Sequence, residues 1–329
     1  MKLYPMVLTP FVSETVWGGR RLIDEYSVVT DKRNAAEAWV MSAHKNGSST
    51  VANGEFAGET LREVYLAHPE IGGKNCAGFS DFPVLIKFID AAADLSVQVH
   101  PDDAYCLKKG AGAGKTESWY ILDCEPGAHL LLGFEKDLTR EDIREVIDFV
   151  RSEDPRSKTA LSDGTLTDYV KKVPVKKGDF FFIESGTLHA ICKGILLAEV
   201  QQNSDTTYRI YDYGRMGLDG KPRELHVEDA VNVTHTGVYK NPCVPEKDGN
   251  ITKLVSCPFF TERVIDIDGY FEGDADEKSF VSLLILDGSG TLECAGETLE
   301  FSKGGSIFIP AGCGSYKING EARALETRV

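Results

Sequence analysis

A short segment with alternating residues carries the side chains of this sequence that are best suited to binding a metal. In residues 96–100 (Ser-Val-Gln-Val-His), strand alternation would place Ser96, Gln98 and His100 on one face and the two valines on the other. Glu117 lies in a second strand-like segment and could bring a carboxylate to the same face. An amide oxygen, an imidazole nitrogen and a carboxylate oxygen begin a metal site with mixed nitrogen and oxygen ligands.

The segments around this candidate site predict a mainly β chain. Short apolar segments bounded by glycine and aspartate, such as residues 3–9 and 37–42, are typical of strands in all-β domains. Residues 83–90 form a continuous apolar segment of strand length, which predicts a strand buried on both faces. Lys87 lies in its middle. It either pairs with a carboxylate or points into a polar barrel interior to meet an anion.

A few helices are expected among the strands. A helix is predicted from residue 139, where Thr139 and Asp142 have the spacing of a capping box, and its apolar stripe is Ile143, Val146, Ile147 and Val150. Residues 166–172 predict a second short helix, so a small helical insertion is expected over about residues 137–172. Residues 225–233 predict a further helix. The turn-rich segment 238–249 predicts a linker between units of residues 1–240 and 241–329.

Composition and charge narrow the class of protein. A chain of 329 residues is long enough for about two domains of ~150 residues. The net charge of −15 disfavours nucleic acid and anionic membranes as partners. The eight cysteines are scattered without a Cys-x-x-Cys pair, which argues against a zinc ribbon and a disulfide framework. We find no targeting segment and no apolar stretch that could span a bilayer, so a cytoplasmic location is expected.

A sequence motif occurs twice, and only its first copy ends in histidine. Residues 178–189 read Gly, five residues, Glu, one residue, Gly, two residues and His189, and residues 304–315 repeat this spacing with proline for glutamate and Ser315 for histidine. The pattern resembles the second motif of the cupin superfamily, a strand, a tight turn and a strand. The resemblance implies two cupin-type (jelly-roll) β-barrels, of which only the first is equipped for a metal.

The first barrel thereby gains a fourth candidate ligand. The predicted set is Gln98, His100, Glu117 and His189. Two imidazoles and a carboxylate suit zinc, but they would also suit Fe(II) or Mn(II). The alternative is that both histidines are ordinary core residues. Their two motif positions favour the metal site.

Longer matching segments give a closer resemblance. They are Leu95–Asp103, Gly114–Tyr120, Gly186–Ala190 and Glu199–Asp212. With them the chain resembles the type I mannose-6-phosphate isomerases (phosphomannose isomerases) in their short bacterial form. The resemblance implies one Zn2+ per chain on the four predicted ligands, and Arg209 as an active-site residue.

The reaction implied by the resemblance assigns further residues. Interconversion of D-mannose 6-phosphate and D-fructose 6-phosphate moves a proton between C2 and C1 through an enediolate. Arg209 would stabilise the developing negative charge, unless it is held in a salt bridge by Asp205 or Asp212. Lys115 and Glu199 are candidates for the proton-transfer base, although Lys115 could instead bind the phosphate or a hydroxyl, and Glu199 could orient a metal ligand or a sugar hydroxyl. For the phosphate we predict Lys87 and Ser96, with Arg209 as a third donor.

The sequence also allows two other functions. A different metal-dependent cupin, such as a dioxygenase, would use similar ligands but would require O₂ and redox chemistry. A sugar-binding regulatory cupin would bind ligand without turnover. The expected partner is in each case a small molecule, a phosphosugar for the isomerase, and the chain is expected to be a monomer or a weak homo-oligomer.

Overall fold

The computed structural model describes residues 2–151 and 169–329, in which antiparallel strands predominate. This confirms the predicted mainly β class. The helices are short and few: α1 Arg21–Tyr26, α2 Leu61–Ala67, α3 Asp103–Lys109, α4 Arg140–Arg151 and α5 Val227–Val233. Two 3₁₀ turns, Pro69–Gly72 and Lys74–Gly78, follow α2. None of the helices in these two ranges is both long enough and apolar enough to cross a membrane.

The first part of the chain contributes two facing sheets and several short strands. The strands are β1 Met6–Thr9, β2 Phe11–Ser13, β3 Glu37–Met41, β4 Ala43–His44, β5 Gly47–Ser48, β6 Thr50–Val51, β7 Val84–Ala91, β8 Val97–Val99, β9 Glu117–Cys124, β10 His129–Phe134, β11 Val170–Pro174, β12 Phe180–Ile183, β13 His189–Ile191, β14 Ile195–Gln202 and β15 Tyr208–Tyr211. One sheet has the order β12-β9-β14-β7-β3-β2, and the other has the order β11-β10-β13-β8-β15. Trp119 and Ile121 of the first sheet pack against Leu130 and Ile191 of the second, so the two sheets enclose a barrel core.

The strand alternation predicted for residues 96–100 explains which side chains of β8 face the barrel interior and which face outward. Val97 and Val99 point away from the barrel interior and share a core with Ile143 of α4 and Ala230 of α5. The helices therefore cover the outer face of the five-stranded sheet, and the polar residues of β8 are turned to its inner face. Burial of the two valines fixes the direction in which Gln98 points.

The predicted helical insertion agrees with the structure only in part. Helix α4 begins after Thr139, whose hydroxyl accepts from the Asp142 amide at 3.1 Å while the Asp142 carboxylate accepts from the Thr139 amide at 2.7 Å. The predicted second helix over 166–172 is wrong at residues 170–172, because these belong to strand β11, which pairs with β10. Its first residues lie outside the described ranges. Two β-branched valines and the open edge of β10 favour the strand.

The C-terminal part forms a second barrel whose sheet also includes the N-terminal strand. Its strands are β16 Glu246–Asp248, β17 Ile251–Ser256, β18 Thr261–Ala275, β19 Val281–Cys294, β20 Glu297–Ser302, β21 Ser306–Ile309 and β22 Gly314–Arg328. Strand β1 pairs with β21, with Met6 opposite Phe308. The predicted boundary between two domains near residue 240 stays a prediction. Strand β1 lies before this boundary but belongs to the sheet that is formed after it.

The repeated motif has the same local structure in both barrels. The first copy forms β12, a turn and β13, and the second forms β21, a turn and β22. Each copy begins with a glycine at positive φ, 88° at Gly178 and 87° at Gly304. At Gly304 a Cβ atom would also lie 2.2 Å from the Tyr26 carbonyl oxygen, so only glycine fits there. The predicted strand–turn–strand geometry is confirmed for both copies.

A carboxyl group is buried where the two barrels pack against each other. Glu262 of β18 is 1% exposed and hydrogen-bonds to the hydroxyl of Ser118 on β9. Burial raises the pKa of Glu262 to about 8, although the Ser118 hydrogen bond acts in the opposite direction. At neutral pH this side chain is therefore a neutral acid within the interface.

We expect the Glu262→Gln variant to be more stable than the parent protein at neutral and alkaline pH. Because the folded-state pKa is about 8 and the ordinary value 4.5, the folded chain holds an extra proton between these values, and this group lowers the stability as pH rises through that window. The gain at pH 7 should be on the order of 3 kcal/mol. Chemical denaturation at pH 5, 7 and 8.5 measures it.

The buried Glu326 provides a matched control of opposite sign. Its carboxylate accepts from Arg263 at 2.8 Å and from Arg328 at 2.8 Å, and its pKa is lowered because these arginines outweigh the effect of burial. Glu326→Gln should therefore destabilise the protein at pH 7. A stability difference between Glu262→Gln and the parent that does not change with pH would contradict a neutral Glu262.

Candidate active site

Three of the four predicted metal ligands converge inside the first barrel. His100, Glu117 and His189 offer ligand atoms that all lie within 4.8 Å of one another, and each residue is 1% exposed. The Nε2 atom of His100 lies 3.6 Å from Glu117 Oε2, and that of His189 lies 3.4 Å from Glu117 Oε1. His100 follows β8, Glu117 begins β9 and His189 begins β13, so both sheets contribute.

Backbone carbonyl groups set the orientation of the two imidazoles. The Nδ1 atom of His100 lies 2.9 Å from the Thr206 carbonyl oxygen, and the Nδ1 atom of His189 lies 2.9 Å from that of Thr187. A proton on each Nδ1 satisfies these carbonyls and leaves the Nε2 lone pair directed at the centre. Burial lowers the pKa of His189 to about 4 and lowers that of His100 well below its usual value. Both rings are therefore neutral, as ligands must be.

Gln98 lies beside these three residues. It is directly opposite His189 in the pairing of β8 with β13, and its Nε2 atom is 3.3 Å from His189 Nε2. Its Oε1 atom accepts a hydrogen bond from the Ser96 hydroxyl at 3.1 Å. A half-turn of the amide would exchange the two atoms and present the oxygen to the centre.

The polar atoms at this centre fit a divalent cation. His100 Nε2 and Glu117 Oε1 are buried and have no hydrogen-bond partner among the described residues, whereas Glu117 Oε2 pairs with the Lys115 ammonium at 2.8 Å. Buried polar atoms without a partner are costly, and a cation would satisfy both of them together. Two imidazole nitrogens and a carboxylate oxygen are donors that zinc accepts, and iron and manganese accept them too.

Two of the predicted catalytic residues are also in this centre. The Lys115 ammonium lies 2.8 Å from Glu117 Oε2 and 3.6 Å from Glu199 Oε1. Burial opposes the charge on Lys115, but Glu117 and Glu199 outweigh it and raise the lysine pKa. Burial likewise acts to raise the pKa of Glu199, yet Lys115 and Lys87 outweigh it and the value is lowered. The centre therefore holds an ammonium beside an ionised carboxylate.

Comparisons with known proteins agree with this centre. Residues 6–119 match the family model for the catalytic domain of type I phosphomannose isomerase, and residues 250–329 match that for the mannose-6-phosphate isomerase cupin domain. The chain is 35% identical to mannose-6-phosphate isomerase ManA of Bacillus subtilis over 99% of each chain. The chain belongs to the type I phosphomannose isomerase family.

Solved structures extend the likeness to the fold of this isomerase. A crystal structure of the mannose 6-phosphate isomerase from Bacillus subtilis superposes with a TM-score of 0.86 at 34% identity, over 99% of each chain. A zinc-bound mannose 6-phosphate isomerase shares the fold with a TM-score of 0.80 at 18% identity, over 98% of each chain. The family, the cupin architecture and the class of enzyme agree with the resemblance read from the sequence.

The two residues predicted to bind phosphate in this isomerase lie on different sheets. Lys87 belongs to β7 of the six-stranded sheet, where its ammonium is 3.4 Å from Glu37 and 3.3 Å from Glu199. Ser96 precedes β8 of the five-stranded sheet and accepts a hydrogen bond from Arg209 Nε at 3.2 Å. The sequence left open whether Lys87 pairs with a carboxylate or points to an anion. Its contacts are ion pairs with two carboxylates.

Arg209 is not held by the acidic residues that the sequence offered as salt-bridge partners. In the described part of the chain it has no ion pair, while Asp212 pairs with Arg215 at 2.6 Å and with Arg223 at 2.5 Å. Asp205 accepts instead from Asn46 at 2.7 Å. Arg209 donates from Nη1 to the Glu224 carbonyl oxygen at 3.3 Å, and its Nε contact with Ser96 directs it toward Gln98. Its positive charge therefore remains available to a ligand.

Sequence reasoning missed three charged residues near the site. They are Glu37, Arg215 and Arg223. Arg215 and Arg223 form a cationic cluster around Asp212, with which both pair. Burial lowers the pKa of Arg209 and these two arginines lower it further, although Asp212 acts in the opposite direction. Alternation in the predicted strand 37–42 could have turned Glu37 to the same face as Trp39. Arg223 had no comparable signal, because it reaches Asp212 from a loop.

Proposed function

We propose that this isomerase interconverts D-mannose 6-phosphate and D-fructose 6-phosphate with one zinc ion held by Gln98, His100, Glu117 and His189. The observation that supports the metal is that His100 Nε2 and Glu117 Oε1 are buried, face the same centre and have no hydrogen-bond partner among the described residues. Family membership supports the reaction. When bound, a zinc ion supplies Lewis acidity that polarises the oxygens on C1 and C2 of the sugar.

The reaction requires a base that removes the C2 proton and returns a proton to C1. The aldehyde oxygen on C1 gains a proton and the hydroxyl on C2 loses one, so the atoms balance without an oxidant. We assign the base to Glu199, because its carboxylate is ionised and its Oε1 atom, unlike the indole-bound Oε2, faces only the ammonium groups of Lys87 at 3.3 Å and Lys115 at 3.6 Å among the described residues. Lys115 is held as an ammonium and is therefore in the protonation state of a donor to a sugar oxygen.

Arg209 is assigned to the negative charge that develops on the substrate. An enediolate places charge on O1 and O2, and a guanidinium already fixed by its neighbours can stabilise that charge without reorganisation. The Ser96 hydroxyl links Arg209 to Gln98, which supports a position beside the predicted ligands. For the phosphate we propose Ser96, with the cationic cluster of Arg209, Arg215 and Arg223 supplying the local positive charge that a chain of net charge −15 otherwise lacks.

A coupled assay for fructose 6-phosphate tests this function. The purified protein should convert mannose 6-phosphate under anaerobic conditions, and a chelator should abolish turnover until zinc is returned. Activity that survives complete metal removal, shown by elemental analysis, would contradict the metal requirement. Turnover that depends on O₂ would support a dioxygenase, and sugar-phosphate binding without turnover would support a regulatory cupin.

The second barrel is expected to bind no metal. Its motif places Ser315 where the first has His189, and the Ser315 hydroxyl instead lies 3.4 Å from Asp274 Oδ1. Elemental analysis of the purified protein should therefore give about one metal ion per chain, and Ser315→Ala should not change that ratio. A second equivalent of metal that disappears in the Ser315→Ala variant would contradict this assignment.

A further inference from the structure

Strand pairing aligns oppositely charged residues across the six-stranded sheet of the first barrel. Lys87 on β7 lies opposite Trp39 on β3 and opposite Glu199 on β14, and Glu199 in turn lies opposite Trp119 on β9. Directly opposed residues project to the same face of a sheet, so these four side chains share the inner face. Glu37 is two residues before Trp39 and therefore also points inward.

The charged groups on this face alternate in sign. From the edge of the sheet toward the predicted metal ligands the order is Glu37, Lys87, Glu199, Lys115 and Glu117. The gaps between successive ammonium and carboxylate groups are 3.4, 3.3, 3.6 and 2.8 Å. We call these five residues the charge ladder. Only its last member is a predicted ligand.

Two indole groups fix the carboxylates of the ladder. Trp39 Nε1 donates to Glu37 Oε2 at 2.7 Å, and Trp119 Nε1 donates to Glu199 Oε2 at 2.9 Å. The Lys87 ammonium also lies 5.0 Å from the centre of the Trp39 ring, a cation–π contact. Glu199 therefore has one oxygen held by an indole, and its other oxygen faces the ammonium groups of both lysines.

Because the charge ladder is mostly buried, each of its charged groups depends on the neighbouring group of opposite charge. The side chains of Lys87 and Glu199 are 8% and 3% exposed, and that of Glu37 is 19% exposed. Buried ion pairs add little net stability, but the loss of one partner leaves an uncompensated charge. Without Lys87, three carboxylates would face the single ammonium of Lys115. Glu199 would then lose the contact that opposes the pull of Lys115 on the same oxygen.

We propose that Lys87 and Glu37 are positioning residues of the isomerase reaction, acting through Glu199 on the orientation of the base and of Lys115. This inference rests on the proposed function. It differs from a phosphate contact by Lys87, because a positioning residue affects the chemical step whereas a phosphate contact affects substrate binding. Both residues lie beyond the predicted ligands, and in the described structure their ion pairs are with each other and with Glu199 alone.

The test measures kcat, KM and metal content of Lys87→Met, Lys87→Arg and Glu37→Gln. Displacement of a catalytic group by about 1 Å costs roughly 100-fold, so Lys87→Met should lower kcat by about that factor and change KM by less than about threefold. Metal content should stay that of the parent. Lys87→Arg should recover part of kcat because it restores a cation between the two carboxylates. Lys171→Met, on β11 away from the ladder, is the matched control and should behave as the parent.

The double variant Lys87→Met with Glu37→Gln gives an independent criterion. Residues that act as one unit show non-additive effects, so the double variant should be about as slow as the slower single variant. If the loss of kcat in the double variant equalled the product of the two single losses, the proposal that Lys87 and Glu37 act as one unit would be contradicted. A rise in KM with unchanged kcat in Lys87→Met, which a phosphate contact predicts, would also contradict it. If the parent protein itself fails to interconvert the two sugar phosphates, the proposed function fails, whereas the outcomes above in an active parent overturn only this inference.

Discussion

Replacement of His189 by alanine is expected to abolish metal binding and isomerase activity together. The Nε2 atom of His189 lies 3.4 Å from Glu117 Oε1, and no other histidine in the described structure joins this cluster except His100. Removing one of the two imidazoles leaves one nitrogen, the Glu117 carboxylate and the neutral Gln98 amide oxygen, which hold a divalent cation poorly. Elemental analysis of the purified variant should find little bound metal, and turnover in the coupled assay should fall by more than about 100-fold, since loss of residues that merely orient metal ligands already costs about 10–100-fold in affinity or activity.

A control separates this loss from a general effect of removing a histidine. His129→Ala alters a residue of β10, on the same sheet, whose Nδ1 atom makes a hydrogen-bond contact only with the Gly127 carbonyl oxygen, at 3.3 Å, among residues 2–151 and 169–329. This variant should keep the metal and the activity of the parent. Circular dichroism of both variants shows whether the barrel has folded. A folded His189→Ala protein with stoichiometric zinc and normal turnover would contradict the ligand assignment.

The predicted ligands were accessible from the sequence because each belongs to a local pattern. Alternation in residues 96–100 is a property of any strand, and burial of Val97 and Val99 is enough to turn Gln98 inward. His189 was found through the repeated motif, whose glycines need backbone angles that few other residues adopt. Such features depend on neighbours in the sequence. They therefore do not require knowledge of which strands pair.

The charge ladder depends on pairing, and this is why its arrangement was not predicted. Lys87 meets Glu37 and Glu199 because β7 pairs with β3 on one side and with β14 on the other. The partners are separated by 50 and by 112 positions in the chain, and one sequence does not specify which strands are neighbours or in what register. The helix predicted over 166–172 failed at its end for a related reason. The open edge of β10 recruits residues 170–172 into a strand.

The site and the barrel interface occupy opposite faces of the same strand. Glu117 points to the metal centre, and the next residue, Ser118, points outward to Glu262 of the C-terminal barrel. The second barrel thus contacts the back of the strand that carries a predicted ligand. Burial of Glu262 as a neutral acid avoids placing a further negative charge behind Glu117, Glu199 and Glu37.

Replacement of Arg209 by alanine is expected to lower kcat by about 10²–10⁴ while the metal remains bound. Loss of a preorganised positive group at a site of developing charge typically costs this much. Arg209 contacts Ser96 and the Glu224 carbonyl oxygen, and its hydrogen bonds go to neither histidine of the metal centre, so zinc affinity should change little. Steady-state kinetics with mannose 6-phosphate and elemental analysis of the same sample measure the two quantities.

A lysine at position 209 should restore only a small part of the activity. A guanidinium donates through several fixed N–H groups, whereas an ammonium is a single flexible donor group and cannot reproduce the contacts to both Ser96 and the Glu224 carbonyl. Arg62→Ala is a matched control, because Arg62 is also part-buried and donates to a backbone carbonyl, that of Ala43 at 2.8 Å, and its ion pair is with Asp81 rather than with a residue of the metal centre. Its kcat should equal that of the parent. If Arg209→Ala raised KM alone and left kcat unchanged, Arg209 would bind the substrate without stabilising the charge that forms during proton transfer.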